Sequence, residues 1–381
     1  MKIHGLTLSL LIGFLVACGS APATEQDAAN PPAAISDAVE TNPTTAAPSE
    51  ASEATNMLNA RSSSLSAAQN DGPSVAAGLP PAETDLTAFP VTIENCGRSL
   101  TFVQPPERVI SLWQPPNEML LALGVADRIV ALAGNYTTLP EDLAVLNDNI
   151  KQLGSTMVWP SKEVLFSEQP DLVVSEGLEG FAFDPAQGYA TVAEIEATDA
   201  QVISTGGSCT PTDPASQTKS TETVYNDLEM LGRIFGVSNR ANTLITALQD
   251  RETAILSKVA EQEPIPVAFY NGGEGPVFVL SLGIWADLMD KAGGVDVIDT
   301  DGFQISVEEF AAAQPEVILV GYYPGQAPED SIAFLREIFP TVPAVQNNRL
   351  YPIPTIETEA GIRIMDGFER IAHALHPEVF E

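Results

Sequence analysis

The chain is predicted to be an α/β protein: two α/β lobes with parallel sheets, joined by one long rigid α-helix. Three observations carry this. From Phe89 onward, strand-like and helix-like segments alternate. The strand-like segments, such as "RVISLW", "PDLVVSE" and "PEVILVGYY", are apolar along most of their length, as strands covered by helices on both faces must be. A single long amphipathic pattern, Ser238 to Glu263, interrupts the alternation, which then restarts. Each side of it therefore reads as a Rossmann-like α/β unit.

The elements follow in order. "PVTIEN" and "SLTFVQ" alternate apolar and polar residues and form a hairpin with "CGR" at its turn. "RVISLW" is a strand, "PNEMLLALG" a helix closed by Gly124, and "DRIVALA" the next strand. "SKEVLFSEQ" is a short helix, "PDLVVSE" a buried strand, and "TVAEIEATDA" then "QVIST" helix and strand. "ETVYNDLEMLGRIFG" is a helix with Val224, Leu228, Leu231, Ile234 and Phe235 on its apolar side. Ser238 is expected to cap the long helix, whose stripe is Ala241, Leu244, Ile245, Leu248, Ile255, Leu256 and Val259. After Pro264 come "IPVAFYNGG" (strand), "GIWADLMDKAGG" (helix), "VDVID" (strand), "SVEEFAAAQ" (helix with a capping box between Ser306 and Glu309) and "PEVILVGYY" (strand). "IAFLREIF", "NRLYPIP" and "IRIMDGFERIAHAL" complete the second unit.

Composition bounds the function. Among 381 residues, 17 Lys+Arg face 51 Asp+Glu, a formal charge of -34. Nucleic acid is excluded as a partner, because phosphate backbones need basic surface. Lys2 followed by "LTLSLLIGFLVA" reads as an export signal whose apolar core is too short for a membrane span. It ends in "LVAC", Leu15 to Cys18, which resembles the bacterial lipoprotein signal; that resemblance implies a lipid on Cys18 and an anchored, extracytoplasmic protein. An ordinary secretory signal is the alternative. Residues 19–88, rich in Ala, Pro, Ser, Thr and acids, read as a disordered tether. The folded part divides into a lobe over 89–237, the connecting helix 238–263 and a lobe over 264–381. The two remaining cysteines, Cys96 and Cys209, most simply pair in an oxidising compartment.

Catalytic and metal signatures are missing. His373 and His376 sit at the chain's end, where a cation complements a helix dipole, so a His-built zinc site gets no support. "VDVIDTDGFQISVE" resembles a calcium loop, but Val297 falls where the first ligand belongs, and the segment reads as a turn. No nucleophile is assembled with a base, so no enzyme is expected, and no cofactor.

One stretch is written twice. "SKEVLFSEQPDLVVS", Ser161 to Ser175, lies without a gap on "SVEEFAAAQPEVILV", Ser306 to Val320. Ser161 meets Ser306, Glu163 meets Glu308, Gln169 meets Gln314 and Pro170 meets Pro315. With "PPERVISLW", "NEMLLALGVADRIVALAG", "ETVYNDLEMLGRIFGV", "AGGVDVI" and "ALHPEVF", these stretches resemble the substrate-binding proteins of ABC importers for ferric siderophores, haem and cobalamin, over about Phe89 to Phe380. The resemblance implies the helical-backbone periplasmic binding protein fold, with a chelate bound between the lobes of a monomer. It implies delivery to a permease dimer, met by one surface glutamate per lobe. Those positions here are Glu163 and Glu308, with Glu309 as an alternative to Glu308. A surface sensing or adhesion module that lost transport is the competing function.

The ligand is expected at loops following the carboxyl ends of the strands. Candidates are Trp113 and Gln114, Asn135 and Tyr136, Trp159, Glu176, Phe181, Tyr270 and Asn271, Tyr322 and Tyr323, and Arg363. The aromatics would stack on a planar ring, and Arg363 would pair with an anionic chelate. Glu176, Glu179, Glu357 and Glu359 form an acidic rim better suited to a neutral or cationic chelate, such as a hydroxamate complex or cobalamin.

Overall fold

The computed structural model describes residues 73–154, 158–210 and 219–380. Cys18 and the signal and tether sequences up to residue 72 lie outside the described residues.

A five-stranded sheet of order β5-β4-β3-β6-β7 forms the first lobe. Its strands are β3 (Val109–Ser111), β4 (Ile129–Leu132), β5 (Lys151–Gln152), β6 (Leu172–Glu176) and β7 (Gln201–Thr205), all paired in parallel. A four-stranded parallel sheet of order β10-β8-β12-β13 forms the second. It contains β8 (Ile265–Tyr270), β10 (Gly294–Asp296), β12 (Val317–Tyr322) and β13 (Leu350–Pro354), while the short β9 (Val277–Phe278) and β11 (Gln304–Ile305) pair antiparallel outside it.

Alternation along each strand separates the core into layers. Val109, Leu172, Val174 and Ile203 of one sheet and Val267, Phe269, Val317 and Leu319 of the other belong to one continuous apolar cluster. The helices Gln114–Ala122, Thr221–Ile234, Ser238–Val259 and Ile364–Leu375 fill it. The alternate residues, Ile110, Val173 and Val202, face a second cluster closed by Leu165 and Ile195. Ala268, Ile318 and Val320 face a third, closed by Phe310, Leu335 and Phe339. Each sheet is thus covered on both faces, which is why its strands lack a polar side.

The connecting helix runs Ser238–Val259, about 33 Å at the standard rise. Val237 takes the N-cap position and Ser238 is the first helical residue, so the expected serine cap is absent. Residues 73–88, expected in the tether, pack on the body instead. Ala76 is buried, Ser74 donates to Asp142 at 2.7 Å, and Arg240 donates to the Pro80 carbonyl at 2.9 Å. Their composition resembles a linker, but a few small apolar residues find a groove that composition cannot reveal.

The first hairpin pairs Asn95 with Arg98, leaving Cys96 and Gly97 as a two-residue turn with φ of 54° and 69°. Positive φ at both positions matches the twist of the flanking strands β1 (Val91–Asn95) and β2 (Arg98–Phe102). Cys96 is bonded to Cys209, with Cα atoms 5.4 Å apart.

Candidate functional site

Because the strands of the five-stranded sheet and of the four-stranded sheet run parallel, the carboxyl ends in each share one edge. In the first lobe β3 is flanked by β4 on one side and β6 on the other, so the loops leaving these strands diverge and open a crevice. Trp113 follows β3, Tyr136 follows β4 and Glu176 ends β6. In the second lobe Tyr322 ends β12 and Tyr323 follows it, while Glu359 follows β13 and a 3-10 turn, Thr355–Thr358.

The two lobes meet through these residues. Trp113 Nε1 donates to Glu359 Oε2 at 3.2 Å. The Tyr136 and Tyr323 rings lie 6.1 Å apart across the seam. Trp113 also sits 5.1 Å from the Tyr136 ring and stacks on Trp159 at 5.8 Å, and Phe181 meets Trp159 edge-on at 6.1 Å. Phe181 is 66% exposed, and Tyr323 36%, so the aromatic wall reaches solvent. Gly134 holds this wall in place: its φ is +75°, and a Cβ there would stand 2.8 Å from the Leu112 carbonyl and 3.1 Å from Trp113.

The carboxyl of Glu359 is pushed up to about 8, chiefly by burial and next by the charge of Glu176, against the pull of the neighbouring Tyr136 hydroxyl and the Trp113 indole N–H. Burial and the nearby Glu359 push the Tyr136 hydroxyl far up. That hydroxyl is buried and has no hydrogen-bond partner at normal geometry, although the Glu359 carboxyl lies beside it.

Several expected ligand residues serve the framework instead. Arg363 is buried and donates to Glu118 Oε2 at 2.9 Å, to Glu118 Oε1 at 2.6 Å and to the Thr138 carbonyl at 2.5 Å. It is therefore not available to an anionic chelate. Tyr270 is a core residue: its ring stacks on Phe334 and meets Phe310 edge-on, and its hydroxyl donates to the Gly273 carbonyl at 3.1 Å. Gln114 is fully buried, with its carbonyl oxygen accepting from the Tyr136 and Thr137 amides and its nitrogen donating to Glu118. Glu357 is buried against Arg370 and is no part of an acidic rim. Trp159 is mostly buried and donates to the Leu112 carbonyl at 2.6 Å, so it backs Trp113. Asn135 accepts from Asn117 at 2.7 Å, and Glu176 pairs with Lys219 at 3.2 Å.

Sequence reasoning missed Glu118, the acid on which Arg363 closes. Its one signal is an acid inside the otherwise apolar "NEMLLALG". A cavity of about 340 Å³ lies elsewhere, beside the hairpin and lined by Asn95, Cys209, Asp227 and Arg233. Its polar groups already serve the backbone: Asn95 bonds both the amide and the carbonyl of Ser204, and Asp227 accepts from the Gly206 amide. No cluster of metal-ligating side chains occurs among the described residues, and among them no helix is long and apolar enough to cross a membrane.

The repeated stretches fold alike. Ser161 and Ser306 are N-caps of the helices Lys162–Ser167 and Val307–Ala313. Gln169 and Gln314 take left-handed φ of 49° and 50°, and Pro170 and Pro315 then lead into β6 and β12. Glu309 accepts from the Ser306 amide and hydroxyl, both at 2.8 Å, in a reciprocal capping box. Glu163 and Glu308 are exposed at the same helical position.

A family model described as periplasmic binding protein matches residues 109–356, well over half of the chain. The chain belongs to the periplasmic binding protein family. Relatives of this periplasmic binding protein include an uncharacterised ABC transporter substrate-binding lipoprotein of Bacillus subtilis, 22% identical over 79% of this chain and 90% of that one. The vitamin B12-binding protein of Vibrio cholerae is 23% identical over 56% of this chain and 70% of that one. A solved structure of an ABC-type Fe3+-hydroxamate transport system from Saccharomonospora viridis matches with TM-score 0.61 at 28% identity, covering 75% of this chain and 99% of that one. A periplasmic binding protein from Veillonella parvula matches with TM-score 0.66 at 21% identity, covering 75% and 97%. These relatives are named for substrate binding and transport, and the protein is a binding protein rather than an enzyme.

Proposed function

We propose that the protein is an extracytoplasmic receptor, anchored by lipid on Cys18, that binds a metal chelate between its lobes and delivers it to an ABC permease. The observation that carries this reading is the seam where Trp113, Tyr136, Tyr323 and Glu359 converge from the carboxyl ends of both sheets. Large flat side chains with few polar groups suit a bulky, partly planar ligand. The Fe3+-hydroxamate relative favours a ferric siderophore. The vitamin B12-binding relative favours cobalamin as the second reading.

Docking is assigned to Glu163 and Glu308. Each is exposed, one per lobe, at matching places. Glu309 is already engaged by its cap, which favours Glu308 as the free carboxylate. Two acids in equivalent positions fit a permease of two like subunits.

Quenching of Trp113 and Trp159 fluorescence by ferric siderophores, haem and cobalamin tests the binding reading. Saturable quenching by at least one is expected. Silence towards all of them removes the chelate assignment.

A further inference from the structure

The cations at the seam are all committed. Arg363 is bound to Glu118 and the Thr138 carbonyl, Lys219 to Glu176, and Arg370 to Glu357. An anionic ligand entering between the lobes would meet no unpaired base among the described residues there. The acceptors are in the opposite condition. Glu359 accepts from the Trp113 indole N–H through Oε2, with the Tyr136 hydroxyl beside its carboxyl. The Tyr136 hydroxyl, on a residue only 7% exposed, sits beside that carboxyl without a hydrogen bond of normal geometry. Around them stand the rings of Trp113, Tyr136 and Tyr323.

We propose that Glu359 is the specificity-determining carboxylate of the cleft, and that it selects ligands presenting a positively charged group, such as an ammonium, at the edge of the chelate. This deepens the receptor reading and rests on it. Carboxylate and aromatic faces reinforce one another for such a group: one supplies a charge-assisted hydrogen bond, the others attract a cation through their quadrupoles. The strongly acidic surface, -34 overall, steers cations towards the protein in the same sense.

The proton inventory supports this. Glu359 faces Glu176, Glu118, Tyr136 and Tyr323, and the cations nearest them, Lys219 and Arg363, are paired. Its carboxyl, held up to about 8 by burial and by Glu176, carries a proton near neutral pH when no ligand is present. A bound cation favours the ionised form, so binding expels that proton. Affinity for a cationic ligand therefore rises between pH 6 and pH 9, and affinity for a neutral one does not.

The test uses the folded chain and three probes: a ferric trihydroxamate carrying a free ammonium, the same chelate with that amine acetylated, and an anionic ferric tris-catecholate. Tryptophan quenching should show the ammonium form binding about tenfold more tightly than the acetylated form, the size of one modest ion pair. Glu359→Gln should bring the ratio of the two hydroxamate affinities close to one, whatever it does to either affinity alone, and circular dichroism checks that the variant is folded. Equal binding of the two hydroxamates by the wild type, a preference surviving in Glu359→Gln, or tightest binding of the catecholate each overturns the inference and leaves the receptor reading standing. Silence towards all three overturns both.

Discussion

Arg363 of the second lobe and Glu118 of the first, 245 residues apart in the chain, form a buried two-point ion pair at 2.9 and 2.6 Å. The pair ties the two lobes directly, beside the connecting helix. A second lobe-to-lobe bond, Trp113 to Glu359, lies in the same seam. The lobes are therefore clasped at this seam as well as bridged by the connecting helix. Arg363→Met is expected to cost about 3 to 5 kcal/mol, because Glu118 would stay buried without its partner. Arg363→Met with Glu118→Leu should cost less than Arg363→Met alone, since the uncompensated charge is then gone. Urea unfolding of the three proteins measures both figures.

Glu163→Ala and Glu308→Ala should each lower chelate uptake in cells while leaving ligand affinity and stability unchanged. Glu309→Ala should do the reverse, costing about 1 kcal/mol through the lost capping box with uptake intact. Uptake unaffected by Glu163→Ala and Glu308→Ala would remove the docking assignment. Transport assays beside thermal melts distinguish the two patterns.

Buried acids, Asp227 and Glu359 foremost, should make stability depend on pH. Burial pushes the Asp227 carboxyl up to about 7, and Glu359 is pushed up to about 8. A carboxyl whose pKa is higher folded than unfolded stabilises fully below its unfolded value and loses that contribution as pH rises through its folded value. Melting temperature should accordingly fall between about pH 5 and pH 8, as both groups ionise in place. Asp227→Asn, which keeps an acceptor for the Gly206 amide, should flatten part of the slope in a calorimetric series.

Gly134→Ala should displace Trp113. The φ of +75° and the Leu112 carbonyl 2.8 Å from the added Cβ leave the loop no room. A cost of about 1 to 3 kcal/mol is expected from the strained backbone, with altered near-ultraviolet circular dichroism and weaker ligand quenching.

Tyr270→Phe checks a reassignment. The hydroxyl bonds the Gly273 carbonyl within the second lobe's core and does not reach the seam. The substitution should cost about 1 kcal/mol, read from denaturant midpoints, and leave chelate affinity unchanged.

The order of strands and helices, the connecting helix and the residues that follow the strand ends were legible because their signals are local. Ser161 and Ser306 start helices, Pro170 and Pro315 stop them, and "LVVS" and "VILV" have no polar face to present to water. Trp113, Tyr136 and Tyr323 were legible as candidates for the same reason, each following an apolar strand. Arg363 and Tyr270 satisfied that rule too, yet belong elsewhere. Position after a strand says which end of the sheet a residue occupies, not whether its side chain turns to the seam or to the core.

By itself, then, the sequence determined two α/β units, their junction, and a matched pair of acids at the same helical position of the repeat. Tertiary structure decided everything that depends on one lobe meeting the other. It placed Arg363 on Glu118, which commits that cation to the framework, and set Glu359 under Trp113 and beside Tyr136. The physical reason is common to both. A charged or polar group takes its role from the partner and burial it finds in space, and no short window of sequence contains a partner more than two hundred residues away.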